Sequence, residues 1–280
     1  MRVATDMLVE ETEIRLLLDG LHHCFGFDFR DYAAAPIRQR IWECVEAEGL
    51  QTISGLQERV LHDHACLERL LRALAPKSPA MFDDPAFFVA FRTTVVPLLR
   101  TYPFLDIWVP ACSTGEDVFA LAIVLQEEGL SQRVRIYATD LSESIFRTVA
   151  DGRFPLGSIA AYAANYRRAG GAALLSDYYT IEGDRAVMLP SLREQVTVSE
   201  HSLSTDGCFH EFHMIVCRNI LPLFNDWLRE RVHYLFRYSL CRFGVLGLGD
   251  KEYPLERDDD KFYEGIGNGW YRKTATLTEV

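Results

Sequence analysis

Lysine is scarce: four occur in 280 residues, so arginine carries nearly all the positive charge. Even with arginine the positive side is short, since 29 Lys and Arg stand against 40 Asp and Glu for a formal net charge of −11. Phosphate backbones are bound by basic surfaces, so this balance argues against a nucleic-acid partner. The seven cysteines (24, 44, 66, 112, 208, 217 and 241) include no CxxC pair, and their number is odd. Such usage reads as free thiols in a reducing compartment rather than a disulfide framework. No apolar run reaches the ~18 residues that cross a bilayer. The N-terminal MRVATDMLVEETE turns acidic before an apolar segment can build, unlike a secretory leader. The expectation is a cytoplasmic protein with no membrane insertion. Internal repeats and low-complexity segments are also missing. With 49% hydrophobic and 25% charged residues, what remains is an ordinary globular chain, long enough for one large domain or two small ones.

Residues 8–75 carry helical periodicity. Ile14, Leu17, Leu18 and Leu21 share one face. Ile37, Ile41 and Val45 share another. A single helix is expected from about Ser54 to Leu74, with Leu56, Val60, Leu67, Leu70 and Leu74 inward. Two prolines in Pro76-Lys-Ser-Pro79 mark a linker. The expected division is a helical domain over 1–76 and an α/β domain over 77–280. In the second part, a helix (about 85–100) leads to a strand at Leu105–Val109. A small-residue turn, Ala111-Cys-Ser-Thr-Gly115-Glu116, is followed by an apolar helix from Val118 to Glu128. A second strand ends at Asp140. Phe212–Cys217 and Phe243–Leu248 read as buried strands around a helix at about 225–240. The Gly-punctuated stretch from Tyr263 to Lys273 reads as a strand closing the sheet edge. Strands alternating with helices predict a doubly wound parallel sheet.

Strand, tight small-residue loop, helix, strand and terminal acid make up the pattern of a nucleotide-cofactor site. Small residues let a ligand approach the backbone, and an acid at the end of the second strand can accept from ribose hydroxyls. Here Glu116 ends the loop, and Asp140 follows 24 residues later. The loop is neither GxGxxG nor a Walker loop, because it lacks the lysine. The residues alone therefore stop at a ribose-containing cofactor of adenosyl type, against the alternative of an ordinary βαβ turn. The pairs His62/His64 and His210/His213 have no third ligand at metal-site spacing. No G-x-S-x-G elbow surrounds Ser113.

Three words in order, ACSTGED, YATDLSESI and VCRNILPLF, resemble the GCSTGEE, ATDID and FCRNVLIYF words of the CheR family. These are S-adenosylmethionine-dependent methyltransferases of receptor glutamates in bacterial chemotaxis-type signal transduction. The stretch from Leu175 to Leu203 is similar to the family segment that builds a small β-subdomain (about 155–200) and returns to the core. GFDFRDY matches the helical N-terminal plan. The resemblance implies a Rossmann-like methyltransferase domain behind an all-α domain. S-adenosyl-L-methionine is the implied cofactor, S-adenosyl-L-homocysteine its product, and a chemoreceptor or other signalling protein the implied partner. It also implies a cofactor set of Ala111, Ser113, Gly115, Glu116, Asp140, Ser202, Leu203, Arg218 and Asn219. In that set Glu116 faces the cofactor's amino-acid end or the loop backbone, and Asp140 holds the ribose. Ser202 takes the place of a family Asn beside the adenine, and Arg218 and Asn219 line the site at the end of the fourth strand.

The chain is a divergent member by the same resemblance. The family word N-x-T-x-F-F-R-D aligns with residues 77–84, which puts Lys77 at the Asn, Pro79 at the Thr and Asp83 at the Arg. Leu223 stands at the Tyr of NVLIYF, and His213 at an Asp. The GHSE word aligns with Gly247-Leu-Gly-Asp250. In the family the missing Arg and Tyr sit near the transferring methyl. Two like charges ~4 Å apart at an effective dielectric near 20 repel by about 4 kcal/mol, so an Asp in place of that Arg opposes a docking carboxylate. Two readings stay open. One is a protein-glutamate O-methyltransferase with altered substrate-side chemistry. The other is a catalytically inactive regulatory or scaffold protein that retains the cofactor. In the family the helical domain recognises acidic receptor helices through a basic face. Residues 1–76 here hold eight Arg and thirteen Asp or Glu, and a local patch of Arg38 and Arg40 with Arg69 or Arg72 is weighed against a solvated mixed-charge surface.

Overall fold

The computed structural model describes residues 2–76, 80–250, 252–254 and 262–274. Two compact units emerge. The first comprises residues 1–76 with Leu221–Arg231, and the second comprises Lys77–Ile220 with Val232–Val280.

The first unit is helical: α1 (Arg2–Phe25), α2 (Ala34–Ala47), α3 (Ile53–His62) and α4 (His64–Leu74). The apolar faces read from periodicity form its core. Leu17, Leu21, Ile41, Val45, Leu56, Val60, Leu70 and Leu74 are each at most 1% exposed. The single helix expected from Ser54 to Leu74 is two helices. Asp63 breaks it with extended dihedrals (φ −125°, ψ 105°), and its carboxylate accepts from the Ala65 N–H to cap α4. A short acid at that position satisfies one of the N–H groups that a helix start leaves open. Three of the four arginines weighed as a patch are tied to acceptors within the unit. Arg38 pairs with Glu10, and Arg40 donates to the Leu74 and Ala75 carbonyls at the end of α4. Arg69 pairs with Glu48. Leu221–Arg231 packs into this unit, with Ala33 N–H donating to the Leu223 carbonyl and Asn225 N–H to the Asp31 carbonyl.

The second unit is built on a seven-stranded sheet in the order β6-β2-β1-β7-β8-β10-β9. Its strands are β1 (Leu105–Pro110), β2 (Val134–Asp140), β6 (Val196–Glu200), β7 (Phe212–Cys217), β8 (Leu240–Leu248), β9 (Tyr263–Gly267) and β10 (Trp270–Lys273). The first five in sheet order are parallel, and β10 and β9 run antiparallel. The segment expected at 85–100 is α5 (Pro85–Ala90), a π turn (Phe91–Val95) and α6 (Val96–Leu99). The π turn lies just ahead of Pro97, whose ring has no N–H and crowds the preceding turn. α7 (Glu116–Glu127) is buried throughout from Val118 to Leu125, so it reads as apolar on every side. α8 (Glu143–Asp151), α9 (Ile159–Arg168), α10 (Pro190–Arg193) and α11 (Asp226–Ser239) complete the helices used below. A separate antiparallel sheet orders β3 (Arg153–Pro155), β5 (Arg185–Met188) and β4 (Tyr179–Glu182). Val196–Glu200, read with the subdomain in the sequence, is instead the edge strand of the large sheet, in parallel register with Ile136–Asp140. At the other edge β9 and β10 are a hairpin turned by Asn268-Gly269, both at positive φ (48° and 79°). That pair of angles is the turn preferred between twisted strands. Trp270 anchors the hairpin, stacked on Phe87 at 4.2 Å and donating its indole N–H to the Phe87 carbonyl.

Glu48 clamps the helical unit. Its carboxylate takes Arg69 Nε at 2.5 Å and Arg59 Nη1 at 3.1 Å, and the two guanidinium groups, Arg69 first, hold its pKa at about 2 against an ordinary 4.5. A depressed carboxyl pKa stabilises the fold above the unfolded pKa and loses that stability as pH falls through the folded one. Glu48→Gln is therefore expected to be less stable than the wild type at neutral pH, with the gap closing between about pH 5 and 2. Urea unfolding across that range checks it; a gap that stays constant would contradict it.

Candidate functional site: the carboxyl edge of the parallel sheet

Each residue of the expected cofactor set lies just past, or at, the carboxyl end of a parallel strand. Ala111 to Glu116 follow β1, Asp140 ends β2, Ser202 and Leu203 follow β6, and Arg218 and Asn219 follow β7. The chain leaves β1 toward β2 on one side and has β7 on the other, so this edge is a topological switch point, where open α/β sheets bind ligands.

The loop after β1 is held in an uncommon shape. Ala111 and Ser113 both have φ 49°, and Gly115 has φ 90°. A Cβ at Gly115 would lie 2.9 Å from Val149 Cγ2, so only glycine fits there. The loop is tied to β2: Cys112 N–H donates to the Thr139 carbonyl at 3.0 Å, and Ser113 N–H to Asp140 Oδ2 at 2.7 Å. Leu141 N–H takes Asp140 Oδ1 at 2.7 Å, and His201 N–H takes the Asp140 carbonyl at 3.0 Å. Asp140 is 1% exposed. Burial raises its carboxyl pKa, and the Leu141 and Ser113 N–H groups oppose the rise. Its observed task is to join the loop to the second strand.

Glu116 opens α7, where the helix dipole favours an acid. It is 7% exposed, accepting from Tyr162 at 3.0 Å and from Thr114 at 2.5 Å. Ser202 starts the turn after β6: its Oγ accepts from Ser204 N–H, and its own N–H donates to Asp206. Leu203 is buried beside it. Arg218 is 5% exposed, stacked 4.6 Å from the Phe87 ring centroid and paired with Asp117 at 2.7 Å. Burial raises the Asp117 pKa. The Arg218 charge opposes that rise, and Asp83 and Asp84 add to it. Arg218 Nε is buried without a hydrogen-bond partner.

A cavity of about 450 Å³ opens beside this corner, lined by Asp83, Asp84, Arg218, Asn219, Asp250, Glu252 and Tyr253 among others. Asp83 is exposed in its wall. Asn219 and Asn268, both lining residues, have positive φ, as has Phe82 next to Asp83 (58°). Apart from Asn268, whose angle belongs to the hairpin turn, and Phe243 in β8, the described non-glycine residues at positive φ lie in the loop after β1 or at or next to this cavity. Leu223 belongs to the first unit, in a 3-10 turn at Leu221–Leu223. Lys77 and Pro79 lie outside the described residues.

Two residues of this edge escaped the sequence reading. Asp117 holds Arg218, and its signal was an acid directly after Glu116 at a helix start. Glu252 was hidden by alignment. β8 continues to Leu248, so the turn after it begins at Gly249 and ends its four-residue word on Glu252, not at Gly247–Asp250. Glu252 is 4% exposed and accepts from three backbone N–H groups.

The all-alpha domain of CheR methyltransferases matches residues 12–75, and their SAM-binding domain matches residues 77–265. The chain belongs to the CheR family. It is 44% identical over 242 residues to the Pseudomonas putida protein Cher3, covering 86% of this chain and 89% of that one. A chemotaxis protein methyltransferase of Listeria innocua is 26% identical over 251 residues, covering 89% and 92%. Among solved structures, the glycopeptide N-methyltransferase MtfA complexed with S-adenosyl-L-methionine aligns over 60% of this chain and 55% of that one, at 15% identity and a TM-score of 0.32. The cofactor of this CheR-family domain is S-adenosylmethionine. The edge fits such a group: it offers a backbone loop with no bulky side chain in Ala111–Gly115, a helix start, and a leftover buried donor at Arg218 Nε.

If Asp140 staples the loop as seen, its removal weakens the protein even without ligand. Asp140→Ala leaves two buried N–H groups unpaired and is expected to lower the unfolding free energy by about 1–3 kcal/mol. Unchanged stability of the ligand-free variant would show that Asp140 serves only the ligand.

Proposed function

We propose that this CheR-family chain binds S-adenosylmethionine at the sheet edge and acts in chemotaxis-type signalling on a chemoreceptor or another signalling protein, with transfer to glutamate carboxylates strongly reduced. When bound, the cofactor supplies an electrophilic methyl group. The Ala111–Glu116 loop with Asp140, Ser202, Leu203, Arg218 and Asn219 would hold it. An acceptor glutamate is already ionised at neutral pH, so the protein's contribution to such a reaction is position and electrostatic surround.

The observation that carries the reading is the Asp117–Arg218 pair. Among the described residues lining the cavity, Arg218 is the cation, beside Asp83, Asp84, Asp250 and Glu252. Its charge is already matched inside the protein by Asp117, so an entering carboxylate meets an excess of negative charge among those described residues. Low-dielectric walls sharpen that repulsion. The same lining favours a second reading, a non-catalytic regulatory protein that keeps the cofactor.

Two measurements separate these. Calorimetry with S-adenosylhomocysteine is expected to show binding; no heat from the wild type would remove the cofactor from the proposal. Tritiated-methyl transfer to receptor-enriched membranes is expected to be weak, and Asp83→Arg to raise it by up to about three orders of magnitude, since it replaces a repulsive group with a carboxylate-gripping fork. Fast wild-type transfer would contradict the charge argument. Binding with silence in both proteins would favour the regulatory reading.

A further inference from the structure

The end of β7 turns through Asn219, a non-glycine residue with φ 62°. Asn tolerates the left-handed region better than most residues, yet the surroundings must still hold it there. Glu252 does so. Its Oε2 accepts from Asn219 N–H at 2.9 Å and from Gly249 N–H at 2.6 Å, and its Oε1 accepts from Ile220 N–H at 3.0 Å. One buried carboxylate thus binds the chain leaving β7 to the chain leaving β8. Gly249 completes the clamp, because a Cβ there would lie 2.6 Å from Glu252 Oε2 and 2.8 Å from Asn219 Oδ1. The clamped corner borders the cavity of about 450 Å³. Asn219 is exposed and lines the cavity, and its neighbour Arg218 carries the buried, unpartnered Nε.

We propose that Glu252 is a positioning residue of the cofactor site, holding the Arg218–Asn219 corner in the backbone shape that meets the ligand. The proposal rests on the cofactor-binding reading above. Glu252 touches no ligand in this role; it acts through Asn219 and Arg218.

The test uses the full chain, with S-adenosylhomocysteine as the probe. Glu252→Gln keeps size but replaces one accepting oxygen with a donor, so at least one of the three N–H groups loses its partner. Gly249→Ala presses on the same clamp without touching its charge. Both are expected to weaken the dissociation constant roughly ten- to a hundredfold. Amide hydrogen exchange at Asn219, Ile220 and Gly249 should quicken in the ligand-free variants, while thermal unfolding stays cooperative. Glu252→Asp, which keeps two accepting oxygens on a shorter stem, should retain more of the wild-type affinity than Glu252→Gln does. A purely structural role would lower the melting temperature and leave affinity alone. Wild-type affinity in both clamp variants would overturn the proposal while the cofactor reading stands. No binding by the wild type would overturn both. Should Glu252→Gln fail to fold, Gly249→Ala decides.

Discussion

A buried carboxylate on backbone N–H groups organises the functional edge of this protein. Asp140 takes Ser113 N–H and Leu141 N–H with its two oxygens, and so locks the loop after β1 onto the end of β2. The His201 N–H on the Asp140 carbonyl extends the tie to the chain leaving β6. Asp117 and Arg218 carry it from the start of α7 to the end of β7, and Glu252 carries it on to the turn after β8. Five parallel strands thereby end in one hydrogen-bonded rim. Parallel strands leave their last N–H and C=O groups unpaired by the sheet, and charged side chains are the strong partners available to them.

Such a rim is costly to build. Burial raises the pKa values of Asp117 and Asp140 toward the neutral form, against the pull of Arg218 and of the backbone donors. A raised carboxyl pKa means stability that is greatest below the unfolded pKa and falls as pH rises through the folded one. The charge of neither acid is therefore a source of stability at neutral pH; what Asp140 supplies is the pairing of two buried N–H groups. A buried Arg–carboxylate pair is likewise weak as a source of stability and strong as a way to fix geometry. The strained φ values at Ala111, Ser113 and Asn219 point the same way, since the residues around them hold the backbone where a free chain would rarely go.

The helical unit follows a different rule. Its charges are spent in local pairs: Arg38 with Glu10, Arg69 and Arg59 with Glu48, and Arg40 on the last carbonyls of α4. Paired guanidinium groups present little net positive field, which fits the acidic composition of residues 1–76.

Apolar periodicity by itself determined the helical character of the first unit and the strands β1, β2, β7 and most of β8, because a buried face recurs at 3.6 residues in a helix and runs continuously in a buried strand. Three short words determined the family, and with it the placement of the cofactor set at strand ends. The sequence did not show Asp63 splitting a helix, since the apolar period continues across the break and only the capping bond interrupts it. Nor did it show that β6 belongs to the large sheet, because a register with β2 is a long-range pairing. The roles of Asp117 and Glu252 were hidden for the same reason. Each acts on atoms far away in sequence, Arg218 for one and the Asn219–Ile220 backbone for the other. Local pattern reports which side of an element is buried, whereas the partner of a buried charge is decided only when the chain folds back upon itself.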